Sequence, residues 1–543
     1  MLSYRKLAMR VLGRPLYTGG NDSPRPASQR AAAFILTAAM LTTLAAPAFA
    51  KTWHIEDGDI TVKAGDTKGT NKVSQGESTD VPDTDTVITN REKNASSHTV
   101  TIETNDKNDK VEVTLKDVNI DTGSRNKAAV SVTGEGDTNI KLDGDNALKS
   151  DIYRSGIYGS GSGSLTISGG ENDSLTAQGG SGANGISSSG SLTISGGTVT
   201  ANGDDGGHGI YSRGGVTISG GSTVTANGES GTISGGDGIC SNGGVTISGG
   251  STVTANGGNG GSLVGGDGIR SGGGLTVSDG TVTAKGGNGD SKDGYGGDGI
   301  RSGGVVTISG NTVNAAGGYD GKVGGYGICS FDRVAISGGT VEAAGGNGST
   351  GGGSGIYSSD IDLSGSLELT AKAGSPSGRA LSQNGDELDL NTIKDKLSPG
   401  AKVTATNANG ETKQVSIPRP VEPEKPVIPE ESSSSSDGGS SAPSAPASPL
   451  PGLTVTDKSG AVISYTSTQS GNTLTVCVGR LTASLRVSLA ALRPLRAEGI
   501  ETITFQTILC STTLSVDELL AMGGEAAEAV LTHRFTDSSL TVG

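Results

Sequence analysis

Residues 238–255 have the sequence GICSNGGVTISGGSTVTA, and close variants of this stretch occur eight times between residues 156 and 371. The first isoleucine recurs about every 28 residues, at Ile157, Ile186, Ile210, Ile239, Ile269, Ile300, Ile328 and Ile356. A fixed period of this length is typical of stacked units, each of which buries its apolar side only against its neighbours. The repeat therefore predicts a solenoid.

Each repeat contains three short segments in which apolar and polar residues alternate. Val245 and Ile247 alternate with hydroxyl residues, Val253 alternates with threonines, and Ile239 opens the third segment. This period of two predicts strands of about four residues, and glycine pairs between them provide corners that tolerate positive φ. Three such strands per coil describe a parallel β-helix, with coils about 4.8 Å apart. A collagen helix is excluded because there is no three-residue period.

The equivalent positions of the repeats predict three buried columns. The first contains the isoleucines given above. The second contains Ile167, Ile194, Ile218, Ile247, Val277, Ile308, Ile336 and Leu363, and the third contains Leu175, Val199, Val224, Val253, Val282, Val313, Val341 and Leu369. Upstream, we expect Val130, Leu142 and Leu148 to precede the first members of these columns, and Ile102, Leu115 and Ile120 to precede those in turn.

The chain divides into five predicted regions. Residues 1–50 contain an apolar run that ends in Ala-Phe-Ala and predict a signal peptide, with a membrane anchor as the alternative. Residues 51–98 predict an N-terminal cap or irregular coil, and residues 99–417 predict a β-helix of roughly ten coils. Residues 418–451 are rich in proline and serine and predict a linker. Residues 452–543 predict a small α+β domain, in which Ser515 opens a short helix.

Composition and charge limit the possible partners. The net charge of −15 becomes −20 once residues 1–50, which carry a net +5, are removed. This balance argues against binding to nucleic acid or to an anionic membrane surface. No apolar run after residue 50 approaches the roughly 18 residues that span a bilayer. We therefore expect a secreted or extracellular monomer, associated with the cell envelope or free.

The four cysteines do not form a disulfide framework. Cys240 and Cys329 are separated by three coils, or about 14 Å, which is too far for a disulfide bond. Both occupy a position that Tyr211 and Arg270 fill elsewhere. The spacing of Cys477 and Cys510, in the C-terminal region, leaves their pairing open.

The candidate site is a column of aspartates. Asp237, Asp267 and Asp298 each precede a stacked isoleucine by two residues on consecutive coils, so their carboxylates should lie about 4.8 Å apart. Like charges at this spacing repel unless something neutralises them. Three interpretations remain open: the aspartates close the glycine-rich turn, they pair with Arg270 and Arg301, or they bind Ca²⁺ through their oxygens.

The Thr-x-Thr pairs that flank the third-column valines form a second array, which resembles the face of an ice-binding solenoid. The simpler interpretation is that threonine has a high β-propensity and solvates an exposed strand.

Catalysis receives less support from the sequence. A pair of catalytic carboxylates needs different environments that separate their pKa values, whereas the aspartates of the column are copies of one position. The four histidines have no ligand spacing, and no nucleotide-binding or nucleophile motif occurs. We therefore expect a protein that is not an enzyme, with a polysaccharide lyase or hydrolase as the alternative.

Several segments resemble the carbohydrate-binding-domain β-helix proteins that Gram-positive anaerobic bacteria secrete. The resemblance lies in residues 111–120 (VEVTLKDVNI), 129–132 (AVSV) and 139–148 (NIKLDGDNAL) and in the Gly-Ile and LTISGG coils, and it covers residues 100–375. It implies a right-handed β-helix, Ca²⁺ and binding to polysaccharide. We therefore expect an adhesin-like protein that binds a polysaccharide or cell-surface glycan. A structural surface spacer remains a further alternative.

Overall fold

The computed structural model describes residues 50–418, apart from 124, 290–292, 311 and 320. It also describes residues 452–542, apart from 458–460, 464, 471, 479, 481, 498, 508–510, 523–526 and 535–536. The predicted signal peptide and linker lie outside the described residues, except for Ala50 and Pro418. The chain divides into two compact units, residues 1–423 and 424–543.

The first unit is a parallel β-solenoid of about 13 turns, which confirms the predicted fold class. Each full coil contributes one strand to each of three sheets. We call these the isoleucine sheet, the middle sheet and the threonine sheet, in the order in which a coil such as residues 239–256 visits them.

Most strands of the three sheets pair in parallel, and antiparallel hairpins occur at the ends of the solenoid. The isoleucine sheet contains Ile60–Ala64, Asn71–Gln75, Ser78–Asp83, Val100–Glu103, Val130–Thr133, Ile157–Gly159, Ile186–Ser188, Ile210–Ser212, Ile239–Ser241, Ile269–Ser271, Ile300–Ser302, Ile328–Ser330, Ile356–Ser358, Leu381–Gln383 and Asp386–Glu387. The middle sheet contains Lys51–His54, Thr86–Thr89, Lys110–Lys116, Asp137–Asp143, Leu165–Ser168, Leu192–Ser195, Val216–Ser219, Val245–Ile247, Leu275–Val277, Val306–Ile308, Arg333–Ile336 and Asp360–Leu363. The threonine sheet contains Asn119–Asp121, Asp145–Lys149, Ser174–Gln178, Thr198–Asn202, Thr223–Asn227, Ser251–Asn256, Gly280–Lys285, Thr312–Ala316, Thr340–Ala344, Glu368–Lys372, Lys402–Thr406 and Thr412–Ser416.

The three predicted columns form the core of the solenoid. Ile239 lies in register with Ile210 and Ile269, and the second and third columns are in register in the same way. Every member of the three columns is buried. Burial of a side chain of this size stabilises by about 1.5–3 kcal/mol, so the columns provide the main driving force for stacking.

The predicted count of roughly ten coils is too low, and part of the difference lies in residues 51–98. Lys51–His54 and Thr86–Thr89 belong to the middle sheet, and Ile60–Ala64 pairs in parallel with Val100–Glu103. These residues lack the glycine-rich repeat, so the sequence alone does not show that they stack.

The predicted register of the upstream coils is partly wrong. Ile140, not Leu142, lies beside Ile167, and Val132, not Val130, lies beside Ile102. Asn146, not Leu148, lies beside Leu175. Each error is two residues, and a shift of two keeps the same face of a strand inward. The alternation therefore identified the buried face but did not fix the pairing.

The glycine-rich connections between the threonine and isoleucine sheets also stack. Gly231 bridges Gly260, which in turn bridges Gly289, in parallel ladders outside the three sheets. The Gly266 N–H donates to the Gly258 carbonyl at 2.8 Å, and a Cβ placed on Gly266 would meet the Gly236 carbonyl oxygen at 1.9 Å. These glycines are required by close backbone packing.

The described residues of the second unit form two sheets and two helices. One sheet contains Leu453–Thr456, Val462–Ile463, Thr482–Ser488, Glu528–Arg534 and Asp537–Val542; the other contains Thr466–Ser470, Thr473–Cys477, Thr502–Gln506 and Ser511–Ser515. The helices are Leu489–Ala497 and Val516–Met522. The second helix follows Ser515, as predicted, whereas the first helix was not predicted. Short 3₁₀ helices in the solenoid unit span Ile55–Asp57 and Leu390–Lys396.

Substitution of Gly266 by alanine tests whether the loops are packed or loose. We expect Gly266→Ala to lower the free energy of unfolding by more than about 2 kcal/mol, because the methyl group collides with a backbone carbonyl. Gly351→Ala is the matched control, since its Cβ would make ordinary contacts at 3.7 Å. Equal melting temperatures for the two variants would contradict close packing of the loops.

Candidate functional site

The three aspartates of the predicted site lie one above another and are buried. Their side chains form a ladder along the solenoid: the Asp267 N–H donates to Asp237 Oδ1, and the Asp298 N–H donates to Asp267 Oδ1, both at 2.7 Å. The Tyr326 N–H continues the ladder to Asp298 Oδ1, also at 2.7 Å. Each carboxylate therefore satisfies a backbone donor of the next coil, which a buried peptide group requires.

Residues of the same column on earlier coils make equivalent contacts without a carboxylate. The Asn184 side-chain oxygen accepts from the His208 N–H at 2.9 Å, and His208 Nδ1 accepts from the Asp237 N–H at 2.8 Å. The ladder thus needs an acceptor at each level and does not need a charge.

The charge of the aspartates is costly in this position. Burial raises the pKa of Asp267 well above its ordinary value, and the carboxylates of Asp298 and Asp237 raise it further. Burial also raises the pKa of Asp298 to about 6, although a hydrogen bond from the Tyr326 backbone and the nearby Arg301 oppose this shift. Arg301 Nη1 donates to Asp298 Oδ2 at 3.1 Å.

These contacts bear on the three interpretations of the column. All three aspartates accept backbone hydrogen bonds, and pairing with arginine occurs at Asp298. The Ca²⁺ column at Asp237, Asp267 and Asp298 stays a prediction, because these contacts do not identify a cation.

A second cluster joins the column to the neighbouring strand. One ligand atom each from His208, Asp237 and Cys240 lies within 4.8 Å of the other two. Asp237 is 4% exposed, and its Oδ2 atom has no hydrogen-bond partner. Burial and the Asp237 charge raise the pKa of the Cys240 thiol to about 12, and burial lowers the pKa of His208. The sequence does not indicate this cluster, because the three residues have no metal-binding spacing.

A polar cleft of about 530 Å³ lies on the N-terminal coils. Strands of the middle sheet and the loop before Asn71 provide its walls. The polar residues that line it are Lys68, Asn71, Thr84, Asp85, Lys110, Glu112, Asp137, Thr138, Asn139, Ser164 and Thr166. The sequence does not predict this cleft, because residues 51–98 carry no repeat that would show them to stack beside the coils.

Threonines form straight columns on two sheets. On the threonine sheet Thr223 lies in register with Thr198 and Thr252, and Thr225 with Thr200 and Thr254. On the middle sheet a column runs away from the cleft through Thr166, Thr193, Thr217, Thr246, Thr276 and Thr307. The repeat contained the signal for this second column, in the threonine between its valine and isoleucine.

The edges of the stacked loops expose large apolar side chains. Tyr295 and Tyr319 are 47% and 53% exposed, and Ile233 and Leu263 are also exposed. The Leu263 N–H donates to the Ile233 carbonyl, and the Tyr295 N–H donates to the Leu263 carbonyl. The ladder of stacked loops thus holds three of these residues in a row.

No protein-family model, characterised protein or solved structure matches this chain. The resemblance to carbohydrate-binding-domain proteins therefore stays a prediction, and the solenoid is the part that the structure confirms. Within the described ranges, no helix has the length and apolar character needed to cross a membrane.

Asp267→Asn tests the cost of the buried charge. A raised pKa in the folded state means that stability is lost as pH rises from the unfolded value through the folded one. In chelator-containing buffer, we expect the aspartate column to lower the melting temperature of the wild type more near pH 8 than near pH 5. Asparagine keeps the acceptor for the Asp298 N–H and removes the charge, so the variant should gain of the order of 1–3 kcal/mol near pH 8.

The variant should also show a flatter dependence of melting temperature on pH than the wild type. The charged groups that act on Asp267 are Asp237, Asp298 and Arg301. Asp279→Asn, a change of an exposed aspartate on the same solenoid, is the control. If the melting temperature of Asp267→Asn depends on pH in the same way as that of the wild type, the raised pKa of Asp267 is contradicted.

Proposed function

We propose that this protein is a secreted or cell-surface polysaccharide-binding solenoid that does not cleave its ligand. The polar cleft at Lys68, Asp85, Lys110, Glu112 and Asn139 is the observation that carries the proposal. The membership in the carbohydrate-binding-domain group that the sequence resembles is part of the same proposal.

The chemistry of the cleft suits a sugar chain. Sugar hydroxyls both donate and accept hydrogen bonds, and the cleft offers ammonium donors, carboxylate acceptors and groups that do both. Glu112 Oε2 accepts from Asn139 Nδ2 at 3.1 Å, and Asp137 Oδ1 accepts from the Ser164 hydroxyl. These contacts hold two of the carboxylates in fixed positions, which lowers the entropy cost of binding.

The cleft continues into a surface with the geometry of a linear polymer. From Thr166 the middle sheet presents one hydroxyl per coil, about 4.8 Å apart, for six coils. A ligand that repeats along its length gains a contact at each step, so avidity grows with chain length.

A polysaccharide lyase or hydrolase is the second candidate, because Asp85, Glu112 and Asp137 share the cleft with Lys68 and Lys110. Paired carboxylates perform glycoside hydrolysis in other proteins, and parallel sheets of this type serve enzymes and non-enzymes alike. A binding protein would release the polysaccharide at its original length, whereas a lyase or hydrolase would release shortened products.

The double change Lys110→Thr with Glu112→Thr tests the binding cleft. Both side chains are exposed on a strand, where threonine is well tolerated, so the melting temperature should stay close to that of the wild type. We expect the wild-type chain to bind one class of polysaccharide on an insoluble-glycan retention assay and a glycan array, and the double variant to bind it at least about tenfold more weakly.

Glu342→Thr with Lys372→Thr makes the same chemical change on the threonine sheet and should leave retention unchanged. Shortened oligosaccharides released by the wild type but not by the cleft variant would replace the binding proposal with the enzymatic one. Equal retention by both double variants, or no retention by the wild type, would contradict binding at the cleft.

A further inference from the structure

The cluster of His208, Asp237 and Cys240 breaks the repeat at two positions of neighbouring coils. His208 stands in the column where Asn184 precedes it and Asp237 follows it. Cys240 lies in register with Tyr211 on one side and Arg270 on the other. The stacking of two neighbouring coils thus brings an imidazole, a carboxylate and a thiol together.

The carboxylate at the centre of this cluster lacks a partner for one of its oxygens. Oδ1 accepts the backbone N–H of Asp267, whereas Oδ2 is buried without a hydrogen bond. A buried carboxylate oxygen that accepts no hydrogen bond is unfavourable. His208 Nδ1 lies 3.6 Å from this oxygen, and Cys240 lies beside it.

We infer that His208, Asp237 and Cys240 form a binding site for a divalent transition-metal ion, with zinc as the expected occupant. Nitrogen, oxygen and sulfur donors together suit Zn²⁺, which accepts all three in a tetrahedral arrangement. Ca²⁺ and Mg²⁺ take oxygen ligands and would use Asp237 alone. Three protein ligands leave the fourth position of the metal open to water or to a group of a bound molecule.

The ligand atoms of His208, Asp237 and Cys240 must move slightly closer together to bind one metal ion. Bonds of about 2.0–2.3 Å place neighbouring tetrahedral ligand atoms roughly 3.3–3.8 Å apart. The 3.6 Å between His208 Nδ1 and Asp237 Oδ2 falls in this range, and the whole set lies within 4.8 Å. The Nδ1 lone pair accepts the Asp237 N–H at 2.8 Å, so metal binding at Nδ1 replaces that hydrogen bond.

Two neighbours of the cluster have opposite effects on metal binding: Tyr211 favours it and Arg270 disfavours it. The Tyr211 ring stacks on His208 with centroids 5.7 Å apart and restricts its rotation. Arg270 lies next to Cys240 on the following coil and carries a positive charge that disfavours a cation. Removal of this charge in Arg270→Gln should therefore tighten metal binding several-fold.

Equilibrium dialysis of the untagged full chain against Zn²⁺, followed by metal analysis, tests the inference. We expect the wild type to hold one more zinc ion per chain than Cys240→Ser or His208→Asn, and each variant to bind at least about tenfold more weakly. Asn184 shows that asparagine fits the column, so His208→Asn should fold. Co²⁺ in place of Zn²⁺ should give a thiolate charge-transfer band that Cys240→Ser abolishes.

Cys329→Ser is the matched control, because Cys329 occupies the same position of its coil and is also buried. Its zinc content and cobalt spectrum should equal those of the wild type. Folding of each variant is checked from its circular dichroism and melting curve. Equal zinc affinity in the wild type, Cys240→Ser and His208→Asn, or a thiolate band that Cys329→Ser removes instead, would overturn the site. A rise in melting temperature with Ca²⁺ but not with Zn²⁺ would favour the aspartate column over this cluster.

Discussion

The parallel backbone ladder between coils is the constraint on which the rest of the solenoid depends. It holds each residue beside its equivalent in the next coil, as Ile239 is held beside Ile210 and Ile269. The residue type at one position of the repeat therefore determines the character of a whole column. Positions with apolar residues form a continuous core, and positions with glycine form loops whose backbones pack at distances that exclude a Cβ.

The same constraint creates a difficulty for charged residues. A buried aspartate that suits one coil meets its own copy on the next, at a distance where like charges repel. The protein limits this cost through contacts that do not repeat: Arg301 pairs with Asp298, and Asn184 and His208 provide uncharged acceptors on the earlier coils. Burial raises the pKa values of Asp267 and Asp298, and at Asp267 the two neighbouring carboxylates raise the pKa further.

The sequence predicted the fold well where the repeat is regular. All three columns between Ile157 and Leu369 have the predicted register, because most strands of these coils begin just after a glycine-containing turn. The upstream coils lack these glycines, so Leu142 was placed beside Ile167, the position that Ile140 occupies. Alternation specifies a face, and only turns specify a register. The cleft escaped prediction for a related reason, since its walls come from residues far apart in sequence, such as Lys68, Glu112 and Ser164.

In such a molecule, unlike polar and charged side chains come together where neighbouring coils differ in sequence. Copies of one residue differ where their surroundings differ: two neighbouring carboxylates add to the burial that raises the pKa of Asp267, whereas Asp298 accepts a hydrogen bond from Arg301. Inequivalent groups meet at the N-terminal cleft, where lysine, glutamate and asparagine converge, and at His208, Asp237 and Cys240, where two neighbouring coils depart from the repeat. The regular coils form the scaffold that holds these two sites. The polysaccharide binding that we propose would suit this division, because the regular coils would supply many weak identical contacts and the irregular cleft would supply the specific ones.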